Sequence, residues 1–205
     1  MQEKFNHYFT NDNLEHKEHF IISEFLGKQY KFKSQDGVFS KNKLDDGTLF
    51  LLKTVIQMEN LTGAGLDLGC GYGTITVILS KNCNVQMTAC DVNERAVLLT
   101  KNNLEINGVD ADVQVSDVTK AIAKDDFDFV ITNPPIRVGN AILFHFFEES
   151  YQKLRDSGVF YAVLRKKQGA ETYMKKIANI YGNCEILDKH KGYIICKAIK
   201  GKGKL

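Results

Sequence analysis

Apolar residues return along the chain in two rhythms. Short apolar or β-branched runs alternate with stretches in which apolar positions recur every three or four residues. The first rhythm is that of strands and the second that of amphipathic helices. Residues 1–16 are polar, with aromatics at Phe5, Tyr8 and Phe9, and predict an irregular start. Runs at 20–26 and 29–32, separated by Gly27-Lys28, predict a β-hairpin. A turn at Gly37-Val38-Phe39-Ser40 follows. Leu44-Asp45-Asp46-Gly47-Thr48 then opens a helix to about residue 59, with Leu49, Leu52, Val55 and Ile56 on one face. Asp45 or Asp46 is placed as its N-cap.

Downstream, strands are expected at 65–68, 85–90, 113–115, 127–132 and 159–164. Helices are expected from Thr74 through Leu79, from Asn93 to the Asn107-Gly108 stop, over 140–154 and over 170–181. The chain closes with runs at 184–187 and 193–199 around Lys189-His190-Lys191-Gly192, a second hairpin. Strand and helix alternate until that hairpin. The pattern predicts an α/β fold: a mostly parallel sheet with helices on both faces and one antiparallel strand at its edge. The expected organisation is a polar segment and hairpin over 1–43, the main domain over 44–200 and a basic tail over 201–205.

Composition narrows the class without naming it. The 205 residues are 43% hydrophobic and 25% charged, as in an ordinary globular domain. A net charge of +2 means that any basic surface arises from clustering rather than from composition. The five cysteines, Cys70, Cys83, Cys90, Cys184 and Cys196, form no C-x-x-C and fit reduced thiols in a cytoplasmic protein. No signal peptide and no membrane-length apolar run is expected. His7, His16 and His19 have no metal-ligand spacing, so no metal is expected.

Two stretches carry chemistry. In Leu66-Asp67-Leu68-Gly69-Cys70-Gly71-Tyr72-Gly73, a buried strand breaks into alternating glycines and resumes as a helix, which is the nucleotide-binding end of an α/β unit. A dinucleotide fingerprint reads G-x-G-x-x-G, whereas this turn reads G-x-G-x-G, with Thr74 where the third glycine would fall. Asp67 at the strand end suits a ligand ammonium. S-adenosylmethionine, with an amino-acid end and a nucleoside end, therefore fits better than a pyrophosphate. Asp91 closes the next strand at the position of a ribose-binding carboxylate. Asp117, after the third, is placed either to accept from an adenine amine or to form a turn. With the residues beside them, the expected cofactor set is Asp67, Gly69, Cys70, Gly71, Gly73, Asp91, Val92, Asp117, Val118 and Asn133.

The second stretch is Asn133-Pro134-Pro135-Ile136, at the end of the fourth strand and beside the switch point of such a sheet. Proline stiffens the turn. The Asn133 side-chain oxygen and a proline carbonyl then form two acceptors for one –NH2 group, aiming its lone pair at an incoming methyl. Positioning and charge stabilisation are the catalysis available to so poor a nucleophile. His145, in the next helix, is expected as a packed or partly exposed helix residue rather than a base.

Leu66–Gly73, Asp91 and Asn133–Ile136 together resemble a class I S-adenosylmethionine-dependent N-methyltransferase. With Gly37-Val38-Phe39-Ser40, Leu44–Thr48, Asn133–Gly139 and Lys167-Gln168-Gly169-Ala170, the chain is similar to the methyltransferase domain of the small-subunit ribosomal RNA guanine-N2 methyltransferases. The resemblance implies a Rossmann-like seven-stranded sheet, mostly parallel with an antiparallel last strand. It implies methyl transfer to the exocyclic N2 of a guanine in structured RNA, and Asp45, Gly47 and Thr48 bordering the cofactor. Longer members carry a second, degenerate domain copy at the N-terminus, whereas here the hairpin region precedes the catalytic fold. Arg137, Arg165, Lys166 and Lys167 leave strand ends on the same side and are expected to contact RNA phosphates.

Other activities remain open at this level. A protein glutamine amide is handled by the same Asn-Pro-Pro logic. Adenine N6 is disfavoured because Ile136 stands where an aromatic would stack on the flipped base. A non-enzymatic RNA-binding protein with a vestigial pocket is opposed by the intact Asp67, Gly69, Gly71, Asp91 and Asn133. An NAD-dependent dehydrogenase is opposed by the glycine spacing.

Overall fold

The structure, a computed structural model, describes residues 17–38 and 40–201, with Arg137 by its backbone alone. The expected N-terminal segment, and all but the first residue of the basic tail, lie outside the described residues.

A two-stranded antiparallel sheet comes first, β1 (Glu18–Phe25) and β2 (Lys28–Gln35), in register from Glu18↔Gln35 to Phe25↔Lys28. The two-residue turn is Leu26–Gly27, with φ of 49° and 73°. The expected turn at Gly27-Lys28 is thus displaced by one residue. A twisted two-residue hairpin needs left-handed backbone at both central positions, and Leu26 takes that conformation so that Gly27 can occupy the second.

The hairpin is not a free appendage. Tyr30 and Phe32 are 1% and 0% exposed, and Phe32 meets Tyr72 edge-on at 6.0 Å. Its free edge is closed by side chains of α3 (Glu94–Asn107). Asn103 accepts from Lys33 N (2.7 Å) and donates to Lys33 O (2.8 Å), and Asn107 does the same for Lys31 at 3.2 and 2.8 Å. The two amides stand where a third strand would pair, which protects an otherwise open edge.

The main sheet has seven strands: β3 (Thr62–Leu68), β4 (Asn84–Asp91), β5 (Asp112–Val115), β6 (Phe127–Thr132), β7 (Leu154–Arg165), β8 (Glu185–His190) and β9 (Tyr193–Ile199). Their order is β5-β4-β3-β6-β7-β9-β8, and all pairings are parallel except those of β9. The antiparallel last strand is as expected, but it is not the edge. It lies between β7 and β8. Ile194, Ile195, Cys196 and Ala198 of β9 are buried, as suits an interior strand, while the half-charged β8, EILDKH, carries the edge.

Helices α1 (Asp46–Met58), α2 (Thr74–Asn82) and α3 join one hydrophobic cluster with the hairpin, and α4 (Asn140–Lys153) and α5 (Ala170–Tyr181) join the other. Gly65 in β3 shows how closely the central strands are packed, because a Cβ there would stand 2.2 Å from the Phe129 ring of β6. β3 is the first strand and its neighbours lead away on opposite sides, so the switch point falls between β3 and β6. Ligands bind beyond the carboxyl ends of such a pair. Among the described residues, no helix is long and apolar enough to cross a membrane.

Candidate active site

The glycine turn is fixed from below. Gly69 N and Cys70 N both donate to Cys90 O, at 2.9 and 3.0 Å, tying the end of β3 to the end of β4. Gly69, Gly71 and Gly73 have φ of 77°, 57° and 89°, so a turn this tight uses left-handed backbone at each. A Cβ at Gly71 would meet nothing within 4 Å, so the backbone there faces open space that a ligand can fill.

Asp91 closes this corner. Its Oδ2 accepts from Gly71 N and its Oδ1 from Asn93 N, both at 2.9 Å. Burial pushes its carboxyl upward, and the N–H groups of Asn93, Gly71 and Val92 oppose that shift. Each oxygen retains a lone pair for a ribose hydroxyl.

Asp67 differs from its expected role. It is fully buried beneath the turn and does not reach the cavity wall. Its Oδ2 accepts from Thr76 N (3.1 Å) and Thr76 Oγ1 (2.6 Å), so it caps the start of α2. Its Oδ1 has no partner. Burial raises its pKa to about 7, with the Thr76 bonds opposing. An orphaned carboxylate oxygen under a glycine turn favours positive charge above it, which fits a ligand ammonium held over Asp67 rather than against it.

The cavity above the turn has a volume of about 670 Å³, within the usual range for cofactor sites. Gly69, Cys70, Gly71, Asp91, Val92, Asp117 and Val118 line it, as do Asp45, Thr48 and residues 133–136. Val92 is 43% exposed and offers the apolar surface a purine face needs. Burial pushes the Cys70 thiol well up, so it stays a neutral wall. Asp117 sits at the mouth, paired with Lys120. Gly73 and Gly47 do not line the cavity. Gly73 lets the turn close on Thr100, whose side chain would lie 2.8 Å from a Cβ. Gly47 makes room for the Tyr193 ring, 2.7 Å from where its Cβ would be.

Asn133 is held by the start of α1. Asp45 caps that helix, its Oδ2 accepting from Thr48 N at 2.8 Å. The same oxygen accepts from Asn133 Nδ2 at 3.1 Å, and Thr48 Oγ1 accepts from Nδ2 at 2.8 Å. Both amide hydrogens are therefore spent on α1, and the hydrogen-bonding pattern fixes which end of the amide is the oxygen. Oδ1 is left as an acceptor. Ile136 N donates to Pro134 O (2.9 Å) and Val138 N to Pro135 O (3.1 Å), which stiffens the loop and leaves one lone pair on each carbonyl. Thr132 Oγ1 donates to Leu68 O at 2.7 Å, locking the ends of β6 and β3 together.

The methyltransferase small domain, as a sequence family, matches residues 29–197. The chain belongs to this family. It is a class I S-adenosylmethionine-dependent methyltransferase, and the cavity has the acceptors and open glycine backbone that its cofactor requires. The chain is 38% identical over 178 residues to YbxB, an uncharacterized protein of Bacillus subtilis, covering 84% of this chain and 87% of that one. It is 33% identical to ribosomal RNA small subunit methyltransferase C of Vibrio parahaemolyticus, over 85% of this chain and 51% of the relative. Among solved structures, the T. thermophilus 16S rRNA N2 methyltransferase RsmC, in complex with AdoMet and guanosine, superposes with a TM-score of 0.81 at 30% identity, covering 89% of this chain and 50% of that one. The chain thus spans about half the length of the ribosomal RNA methyltransferases it matches.

Of the methyltransferase's expected RNA contacts, Arg165 lines the cavity mouth with its guanidinium 4.8 Å over the Tyr193 ring. Lys166 and Lys167 stand exposed on a single 3-10 turn, Lys166–Gln168, outside the cavity. The Arg137 side chain lies outside what is described. His145 is exposed on α4, as expected of a helix residue, and also lines the cavity. Sequence reasoning missed Tyr193, which reaches the site only because β9 reverses direction. It also missed Asn93 and Ile142 as wall residues. Among the described residues, no group of three His, Cys, Asp or Glu converges as a metal site.

Proposed function

We propose that the protein transfers a methyl group from S-adenosylmethionine to the exocyclic N2 amine of a guanine in small-subunit ribosomal RNA. The observation that carries this is the orientation of Asn133. With Nδ2 committed to Asp45 and Thr48, Oδ1 is preset to accept from a target amine. The remaining lone pair of the Pro134 carbonyl is the second acceptor. Two acceptors in a stiff loop fix the nitrogen's rotation and hold its lone pair toward the glycine turn, which removes orientational entropy before reaction. The bound cofactor supplies an electrophilic methyl on a sulfonium. The acceptors stabilise the positive charge that grows on nitrogen. The extra proton then leaves to water, so no protein base is needed.

The identities of the relatives support the substrate. Adenine N6 fits less well, because Ile136 presents no ring for stacking. On this reading of the substrate, the proposed site of action is the cytoplasm. The test is mass mapping of modified nucleosides in 16S RNA from cells with and without the protein. Loss of one N2-methylguanosine, restored by the wild-type chain, is the expected result. An unchanged nucleoside map would overturn the proposal.

A further inference from the structure

The antiparallel course of β9 has placed a second loop on the catalytic face. β8 ends and β9 begins at the carboxyl ends of the parallel strands, and Tyr193 pairs with both Arg165 and His190. The connection is the two-residue turn Lys191–Gly192, with φ of 46° and 82°. It is tied to the neighbouring Lys166–Gln168 turn by Lys166 N donating to Gly192 O at 2.9 Å. It is tied to α1 by the His190 ring, 5.9 Å from that of Phe50.

Two features of these loops bear on a partner. First, both loops are cationic. Lys166, Lys167, Lys189 and Lys191 are exposed, and among the described residues none of them forms an ion pair. The nearby carboxylate of Asp188 is turned inward, accepting from Lys189 N (2.7 Å) and Thr54 Oγ1 (3.4 Å). Glu171 lies in the first turn of α5, and Asp45 and Asp46, at the start of α1, face Tyr193 from the other side, with Asp46 paired to Lys43. Second, Lys191 occupies a left-handed position. That conformation favours Asn, Asp or Gly in such a turn, and lysine is a poor choice for it. Leu26 meets the same requirement in the first hairpin, so the turn sets the conformation and what Lys191 adds is an exposed charge.

We propose that the Lys191–Gly192 turn and the Lys166–Gln168 turn form one seat for the phosphodiester backbone of RNA flanking the target nucleotide, with Lys189 and Lys191 as phosphate contacts. This rests on the RNA reading above and extends the contacts beyond Arg165–Lys167. Arg165, held on Tyr193, marks where the strand leaves the cavity. The paired turns carry the phosphates that follow. A polyanion with regularly spaced charges suits lysines carried on two rigid loops. An acidic protein segment is the competing partner, and the test separates the two.

The test is Lys191→Asn combined with Lys189→Gln. Asparagine suits the left-handed position better than lysine, so the hairpin is kept while two charges go. RNA affinity is measured against salt, using a 16S RNA fragment. Each lost phosphate contact lowers the slope of log K against log salt by about 0.7–0.9. The double variant should therefore show a slope shallower by about 1.4–1.8 and an affinity about tenfold weaker at about 0.2 M salt. S-adenosylhomocysteine affinity and thermal stability should not fall. A double variant with the wild-type slope overturns the seat, as does one that loses affinity for a polyglutamate peptide but not for RNA. Wild-type protein that methylates a base other than guanine, while the variant still loses RNA slope, sinks the guanine assignment and leaves the seat standing.

Discussion

Replacing Asn133 by alanine separates binding from chemistry. The substitution keeps Pro134 and Pro135, so the loop retains its stiffness. Asp45 Oδ2 still accepts from Thr48 N at 2.8 Å and from Thr48 Oγ1 at 3.2 Å, so no buried polar group is orphaned. The stability cost is that of two part-buried hydrogen bonds, about 1–3 kcal/mol in all. What is lost is the preset acceptor Oδ1. Loss of one preorganised transition-state contact lowers the rate about 10²–10³-fold, or about 3–4 kcal/mol of barrier. Asn133→Asp supplies the control. It puts an oxygen where Nδ2 now lies 3.1 Å from Asp45 Oδ2. Two unit charges at that separation repel by about 5 kcal/mol in a surface-like medium. The side chain swings away or takes up a proton, and the acceptor is misplaced although an oxygen is present. The assay is single-turnover transfer of labelled methyl to small-subunit RNA or particles, with cofactor and RNA affinities measured in parallel. Both affinities should change little. If Asn133→Ala kept full turnover with intact binding, amine positioning would be wrong and Asn-Pro-Pro would be only a turn.

Two further outcomes follow from the carboxylates. Asp91→Asn removes the charge behind the proposed ribose bonds, and S-adenosylhomocysteine should bind about 10- to 150-fold more weakly by calorimetry; unchanged affinity removes Asp91 from the site. Asp67 gives a stability effect with a definite sign. Its pKa rises from 3.8 unfolded to about 7 folded, so between those values the folded chain holds a proton that the unfolded chain has released. The stabilisation is complete below about pH 4 and is lost as pH rises through about 7, amounting to about 4 kcal/mol. Urea unfolding across that window should show a decline with pH that Asp67→Asn flattens; parallel profiles for the two proteins would contradict it.

The elements were legible because each carries its own period and punctuation. The cavity-lining places of Gly69, Gly71, Asp91 and Asn133 were legible because each lies where a strand ends on the switch-point side. Three matters were hidden, for different physical reasons. The hairpin register depended on Leu26 accepting a left-handed backbone, which its side chain does not advertise. The depth of Asp67 depended on Thr76, nine residues on in the first turn of α2, capturing its oxygen. Tyr193 depended on the reversal of β9, a property of sheet order that no local pattern encodes. Asp45 was the mixed case. Its spacing announced a helix cap, and the structure shows that the oxygen that caps also orients Asn133.

The amide of Asn103 has a consequence for the order in which the molecule is built. It donates to Lys33 O and to Tyr72 O, both at 2.8 Å, so one side chain clamps the hairpin and the glycine turn to α3. The hairpin–helix bonds join residues 70 and 76 positions apart. Contacts so distant along a chain close slowly compared with the hairpin itself. Every part of this clamp has nevertheless been synthesised once residue 107 is made, well before Asn133. On a growing chain, the hairpin and the glycine turn can therefore be tied to α3 before the Asn133 loop is in place, and the later strands then add to a half-finished sheet whose glycine turn is already held.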